Sequence, residues 1–208
     1  GSKLNSPNDD AAGLAVALKF DAQISRNNGV QNNLTSALSY SQTQDGFLQK
    51  VGRALDRMSE LATLALDSTK SANDKANYNT EFTDLKNYIS DIGTKKFNGV
   101  SMFDGTQLAV TKDSDGGTWS LNQVTMNAAD TVSIVLAAFS VTAATAVSQL
   151  SDAIENVATS RASVGANIQR LQYTQEQVGI LNENLQASVS RIKDVDVAQE
   201  STAFARYN

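Results

Sequence analysis

Cysteine and histidine are both missing from the 208 residues. Without Cys there is no disulfide framework and no thiolate to serve as nucleophile or metal ligand; the compartment stays open, because secreted proteins need not carry disulfides. Without His, the commonest general base and the commonest transition-metal ligand are lost together, which closes several large enzyme classes. Proline occurs once, at Pro7, and aromatic residues make up 6% of the chain against 41% hydrophobic overall. A core short of large rings favours thin helix-on-helix seams over a thick globule. Apolar runs such as "VLAAF" (135–139) fall far short of a membrane span. The formal net charge is -5, with no block of like charge, so the clustered Lys/Arg needed to neutralise phosphates is absent. Neither membrane nor nucleic acid is expected as a partner.

What the chain does have is helical periodicity. Ahead of it, Asn8 or Asp9 can accept the free amide protons of a first turn, and acids there suit the helix dipole. No proline interrupts from there to about Asp67, although Asn27-Asn28-Gly29 marks a weak place where the helix can break. Leu48, Val51, Leu55, Met58, Ala62 and Ala65 recur at intervals of 3, 4, 3, 4 and 3, the seam of a helix lying along a partner. Upstream the same register reaches Leu34 and Leu38 and puts Ser41 and Asp45 on the seam, where the partner helix is expected to be further away. "DSTKSAND" (67–74) is a polar turn, and Tyr78, Phe82, Leu85, Ile89 and Ile92 then give a second helix ending at Gly93. So short a link predicts antiparallel neighbours.

The middle of the chain changes period. "QLAVT" (107–111) and "TWSLNQV" (118–124) alternate apolar and polar residues around "DSDGG", a β-hairpin pattern, and "DTVSIVL" (130–136) reads as a third strand. From about Ala143 the helical period returns, with Val147, Leu150, Ile154, Val157, Val164, Ile168, Leu171, Val178, Leu185, Val189 and Ile192 on one seam. Arg161, Gln175 and Asn182 fill the intervening seam positions, as polar residues that set register do. If continuous, residues 143–192 span on the order of 75 Å. The fold class expected is mainly α: an elongated antiparallel helical bundle or coiled-coil rod with a small β-hairpin region at one end. Its divisions are expected at 1–25 (a connecting segment), 26–103 (two helices), 104–140 (the small β region) and 141–208 (the long C-terminal helix).

The short chemical motifs do not hold together. "KDSDGG" (112–117) places its glycines wrongly for an EF-hand and has no closing Glu, so a hairpin turn is the reading taken; nor does it lead into the Lys-Ser/Thr of a phosphate loop. Asn33-Leu34-Thr35 matches the glycosylation sequon but lies inside a helix with Leu34 on the seam. Asp194 and Asp196 point to different faces of a helix and read as solvated acids at its end. No enzyme activity and no cofactor is expected. Charged residues between the seams, among them Arg53, Arg57, Glu60, Lys75, Glu81 and Asp84, form the outer face on which a partner would be recognised.

Several stretches resemble one family. "LNSPNDDAAGLAVA" (4–17), "LDRMSELATLA" (55–65), "KKFNGVSMFDG" (95–105), "SRASVGANIQRLQYT" (160–174) and "ENLQASVSRIKDVDVAQE" (183–200) are similar, in family order, to segments of the bacterial flagellins. The resemblance implies an extracellular structural subunit that self-assembles into the flagellar filament for motility. The alternative is a hook-filament junction (hook-associated) protein. The short stretch between "FDG" and the C-terminal helix implies that large outer domains are missing. Gly1-Ser2 reads as a cloning remnant, and the resemblance implies a core-rod fragment without most of its polymerising ends, expected to be a monomer.

Implied partners are other flagellin subunits, the export machinery and a chaperone for the full-length chain, and the vertebrate flagellin-sensing Toll-like receptor. By resemblance, Asp9, Asp10, Ala11, Ala12 and Gly13 form a close-packing assembly segment where the rod meets the inner tube, small side chains permitting close approach. Arg57, Leu61 and Glu81 correspond to the receptor-binding face. Asp56 and Ser59 depart from the family's Gln and second Arg, placing an acid beside Arg57.

Overall fold

A computed structural model describes residues 10–126, 141–142 and 145–194. The elements are α1 (Ala11–Leu66), α2 (Ala72–Gly93), the short strands β1 (Lys96–Phe97), β2 (Val100–Ser101), β3 (Ala109–Thr111) and β4 (Thr118–Ser120), and α3 (Ala146–Lys193). The fold is mainly helical with a small antiparallel β region, as the two periods predict, and the β1–β2 hairpin is an addition to the one hairpin expected. The expected strand at 130–136 lies outside the described residues.

Each helix end has a local cause. Asp10 caps α1: its Oδ1 accepts from the amides of Ala12 (3.1 Å) and Gly13 (2.9 Å), the first-turn donors with no partner inside the helix. The expected caps Asn8 and Asp9 lie outside the described residues. α2 opens on a capping box in which Ser71 Oγ accepts from the Asp74 amide (3.2 Å) and Asp74 accepts in return from the Ser71 amide (3.0 Å). The turn before it is therefore shorter than the polar composition of 67–74 predicts. α3 ends with Arg191 and Lys193 in its last turn, where cations suit the dipole.

The chain forms two compact units, to both of which α1 and α3 contribute. One holds residues 36–110 and 120–171. Its core is the expected seam: Leu48, Val51, Leu55 and Met58 of α1, Phe82, Ile89 and Ile92 of α2, and Leu150, Val157 and Val164 of α3 are all buried, and Leu61 of α1, which the sequence does not place on that seam, is buried with them. Each such side chain contributes about 1.5–3 kcal/mol by leaving water. On the upstream part of that seam Ser41 is wholly buried. Asp45 is also occupied, accepting two hydrogen bonds from Arg161 at 2.8 and 3.3 Å.

The β1–β2 hairpin turns on Asn98 (φ 48°) and Gly99 (φ 81°), with Phe97 paired to Val100. Positive φ at both central residues is the two-residue turn that matches strand twist, and Asn-Gly is the pair that tolerates it. Tyr40 of α1 holds this hairpin: its hydroxyl donates to the Ser101 carbonyl (3.0 Å) and its ring meets Phe97 edge-on at 5.8 Å. On the other side, Asn167 of α3 accepts from the Asn122 amide (2.9 Å) and donates to the Asn122 carbonyl (3.1 Å).

The other unit combines residues up to 35, 111–119 and from 172 onward. Here α1 runs unbroken through Asn27-Asn28-Gly29, the weak place the sequence marks. Asparagine disfavours helix when its side chain competes for local backbone groups. Both side chains are engaged elsewhere: Asn27 Nδ2 donates to Asn182 Oδ1 (3.1 Å), and Asn182 Nδ2 donates to Asn28 Oδ1 (2.7 Å).

Candidate functional site

The functional residues anticipated from sequence fall into three groups. In the first, Asp10 is spent on the helix cap, Ala11 and Ala12 are exposed and Gly13 is half-buried; Asp9 lies outside the described residues. The small side chains of this segment therefore face outward and are free to be covered.

In the second group the structure joins two residues and removes the third. Arg57 Nε and Nη2 donate to the two Glu81 oxygens at 2.7 and 3.1 Å, while Nη1 donates to Glu60 Oε2 at 2.7 Å. The fork thus ties α1 to α2. The hydrogen bond from Arg57 holds the Glu81 carboxyl below its ordinary range, and Glu81 with Glu60 raises the Arg57 guanidinium further above an already high value. Leu61 is 0% exposed. It is a core residue in this chain, and its side chain offers nothing to a surface partner.

The third group was visible only in half. Arg161, Gln175 and Asn182 stand out on the α3 seam, but periodicity names no partners for them. Within one unit Arg161 binds Asp45; within the other Gln175 Nε2 donates to Thr35 Oγ1 (2.8 Å) and Asn182 bridges Asn27 and Asn28. Lys193 Nζ adds an ion pair to Asp21. In the unit holding Thr35, Asn27 and Asp21 the α1 numbers fall as the α3 numbers of their partners Gln175, Asn182 and Lys193 rise, as antiparallel helices require. That reversal, imposed on the α1 polar positions, is the signal that would have found them.

The remaining motifs are structural. Around 112–117 the Lys112 amide donates to the Gly117 carbonyl (2.8 Å), and Asp113 Oδ1 accepts from the amides of Asp115 (3.1 Å) and Gly117 (2.7 Å), so the acid folds its own turn. Arg26 Nε donates to the Ser114 carbonyl (3.0 Å), anchoring that turn on α1. In the sequon, Thr35 donates to the Gln31 carbonyl (2.9 Å) and Leu34 is buried. Asp194 accepts from Ser190 Oγ at the end of α3, and Asp196 lies outside the described residues. Among the described residues no cluster of three or more His, Cys, Asp or Glu could hold a metal, and no helix is long and apolar enough to cross a membrane. The cleft beside Tyr40 and Gln44 has a volume of about 10 Å³, room for roughly one water.

Long helices paired through mixed apolar and polar seams, with charged forks between them, define a helical structural protein. Comparisons with known proteins narrow the class. Residues 1–108 match the family model for the bacterial flagellin N-terminal helical region, and residues 147–208 match that for the bacterial flagellin C-terminal helical region. A flagellin of Halalkalibacterium halodurans is 34% identical over 215 aligned residues, covering 100% of this chain and 79% of the relative. The crystal structure of Bacillus cereus flagellin superposes with a TM-score of 0.62 at 26% identity, covering 71% of this chain and 88% of that one. A putative flagellar hook-associated protein from Vibrio parahaemolyticus superposes at 0.75 but is 14% identical, over 89% of this chain and 100% of that one, a likeness of fold alone. The chain belongs to the bacterial flagellin family.

Proposed function

We propose that α1 and α3, locked together by their polar seam pairs, serve as the framework through which this flagellin is held by its neighbours. As a flagellin the chain is a structural subunit of the extracellular flagellar filament, and other flagellin subunits are its partners. The observation that carries the role is the match of both family helical regions to the two ends of the chain, in order. The role needs no catalysis. Growth from filament seeds by the protein as the bacterium makes it, followed by electron microscopy and sedimentation, tests this. Long filaments support the reading. Decoration of hook ends without elongation would move the chain to the hook-associated alternative.

The contact surface has two parts. Asp10–Gly13 presents small side chains against which a neighbouring element can press closely. In the same unit, Val16 and Leu18 on α1 and Tyr173 and Ile180 on α3 are exposed although apolar, Tyr173 at 67%. Exposed apolar residues grouped in one unit suit burial against another subunit. Away from the filament the chain is a monomer, because each helical seam is already closed from within; sedimentation at rising concentration checks this. The flagellar export machinery and its chaperone handle the chain before assembly.

The Toll-like receptor face reduces to Arg57 and Glu81, since Leu61 is buried. Arg57 is 43% exposed and sits between Glu60 and Glu81, so a receptor would have to compete with both acids for it. Asp56 beside it adds a third negative group. A receptor assay in which Arg57→Ala signals as the parent does would remove this face from the protein's functions.

A further inference from the structure

Two Asn-Gly dipeptides occur in the described residues, in opposite settings. Asn28-Gly29 lies inside α1, where the Gly29 amide is committed to the helical ladder and the Asn28 side-chain carbonyl accepts from Asn182 Nδ2 at 2.7 Å. Asn98-Gly99 forms the two-residue turn between β1 and β2. Both residues of that turn are exposed, and nothing lies within 4 Å of where a Gly99 Cβ would stand. We propose that Asn98 is a site of spontaneous covalent modification, converting to aspartate and isoaspartate through a succinimide closed by the Gly99 backbone nitrogen.

In the ring-closing step the deprotonated Gly99 nitrogen attacks Cγ of Asn98. The N–Cγ bond forms, the Cγ–Nδ2 bond breaks, and Nδ2 leaves as ammonia with protons from water. Water then adds to one of the two ring carbonyl carbons and opens the ring. The balance is one water consumed and one ammonia released, with no redox change. Attack needs a peptide nitrogen that water can deprotonate and no side chain crowding it; Gly99 supplies both, whereas Gly29 reaches that state only when α1 opens locally.

The location gives the modification a structural consequence. Opening toward isoaspartate inserts one extra backbone carbon into a turn two residues long, so the Phe97–Val100 pair cannot keep its register. Phe97 and Ser101 are the residues that Tyr40 holds against α1. Either product also places a new carboxylate two residues after Lys96 and three after Lys95.

Peptide mapping by mass spectrometry during incubation of the folded protein in mildly alkaline buffer, with isoaspartyl methyltransferase labelling, tests the assignment. Asn98 is expected to convert at least roughly tenfold faster than Asn28, because the latter must await local unfolding. In urea the two rates are expected to converge, which shows that the difference is structural. Asn98→Gln should abolish the isoaspartyl signal at residue 98, located by fragmentation because the peptide 97–112 also carries Asp104-Gly105. Equal rates at the two sites in the folded protein, or persistence of the signal in Asn98→Gln, would overturn the proposal.

Discussion

Arg57 makes three hydrogen bonds to two carboxylates on two helices, yet it lies at the surface, where solvent screens such pairs. Its effect is best read through pH. The Arg57 hydrogen bonds depress the folded-state pKa of Glu81; Asp74 is lowered by Ser71, Asp67 by Thr69 and Asp104 by Thr106. A carboxyl with a lower pKa folded than unfolded gives stability that is fully present above the unfolded value and lost as pH falls through the folded one. The melting temperature is therefore expected to hold level near neutrality and to decline through the acid carboxylate range. Arg57→Ala should flatten part of that decline; an unchanged profile would show that the fork contributes nothing in solution. Ser41 poses the opposite case, a buried hydroxyl with no partner in the middle of a seam. Ser41→Ala should stabilise the fold by about 1 kcal/mol in chemical denaturation, because an unmade buried hydrogen bond costs more than a methyl group in its place.

Helices α1 and α3 are each far longer than any capping residue can control, and an all-apolar seam could slide by a heptad and still bury leucines. Polar pairs at fixed places prevent this, since a slip of one heptad would set Arg161 against Leu38 or Gly52 in place of Asp45 and would break the paired hydrogen bonds of Asn182 to Asn27 and Asn28. Asn182→Leu should cost about 1–3 kcal/mol, because it leaves the Asn27 amide buried without its partner. Replacing both Asn27 and Asn182 by Leu should recover that loss and surrender the single register. Cross-linking between cysteines placed at Gln31 and Gly179, which lie together in this unit, reads the register in a chain with no native thiol. A single cross-linked species in the double variant would show that the asparagines are not needed for alignment. Against this background, Leu55→Ala in the apolar stretch should cost about 2–5 kcal/mol with no change of register.

For the molecule in its filament, stability and assembly should separate. Ala12→Leu and Tyr173→Ser both alter exposed positions, so each is expected to leave the melting temperature nearly unchanged while lowering the yield of filaments grown from seeds. Equal damage to both measurements would mean that these residues support the subunit's own fold. The two structural likenesses show why such experiments matter. The putative hook-associated protein has the higher TM-score and the lower identity, so backbone arrangement alone does not separate it from a flagellin. What separates them is carried by side chains, and the two family matches supply it.

Local chemistry shows directly in the residue order. The 3–4 spacing of Leu48 to Ala65 and of Val147 to Ile192, the alternation around 113–117 and the stop at Gly93 foretold three helices and a hairpin, because burial on one face of a periodic element is a one-dimensional constraint. The Asn98-Gly99 turn carried its own signal as well, although no strand was expected beside it. Partner choice is not local. Continuity of α1 through Asn27-Asn28-Gly29 depends on Asn182, the fate of Asp45 depends on Arg161, and the burial of Leu61 depends on which helices close over it. Those residues are more than a hundred positions apart in sequence for the polar pairs, and no period along one helix states which rung of another it will meet. The chain's order thus specifies which faces must be covered, and folding assigns what covers them, since hydrogen bonds and buried area are satisfied only between elements already in place.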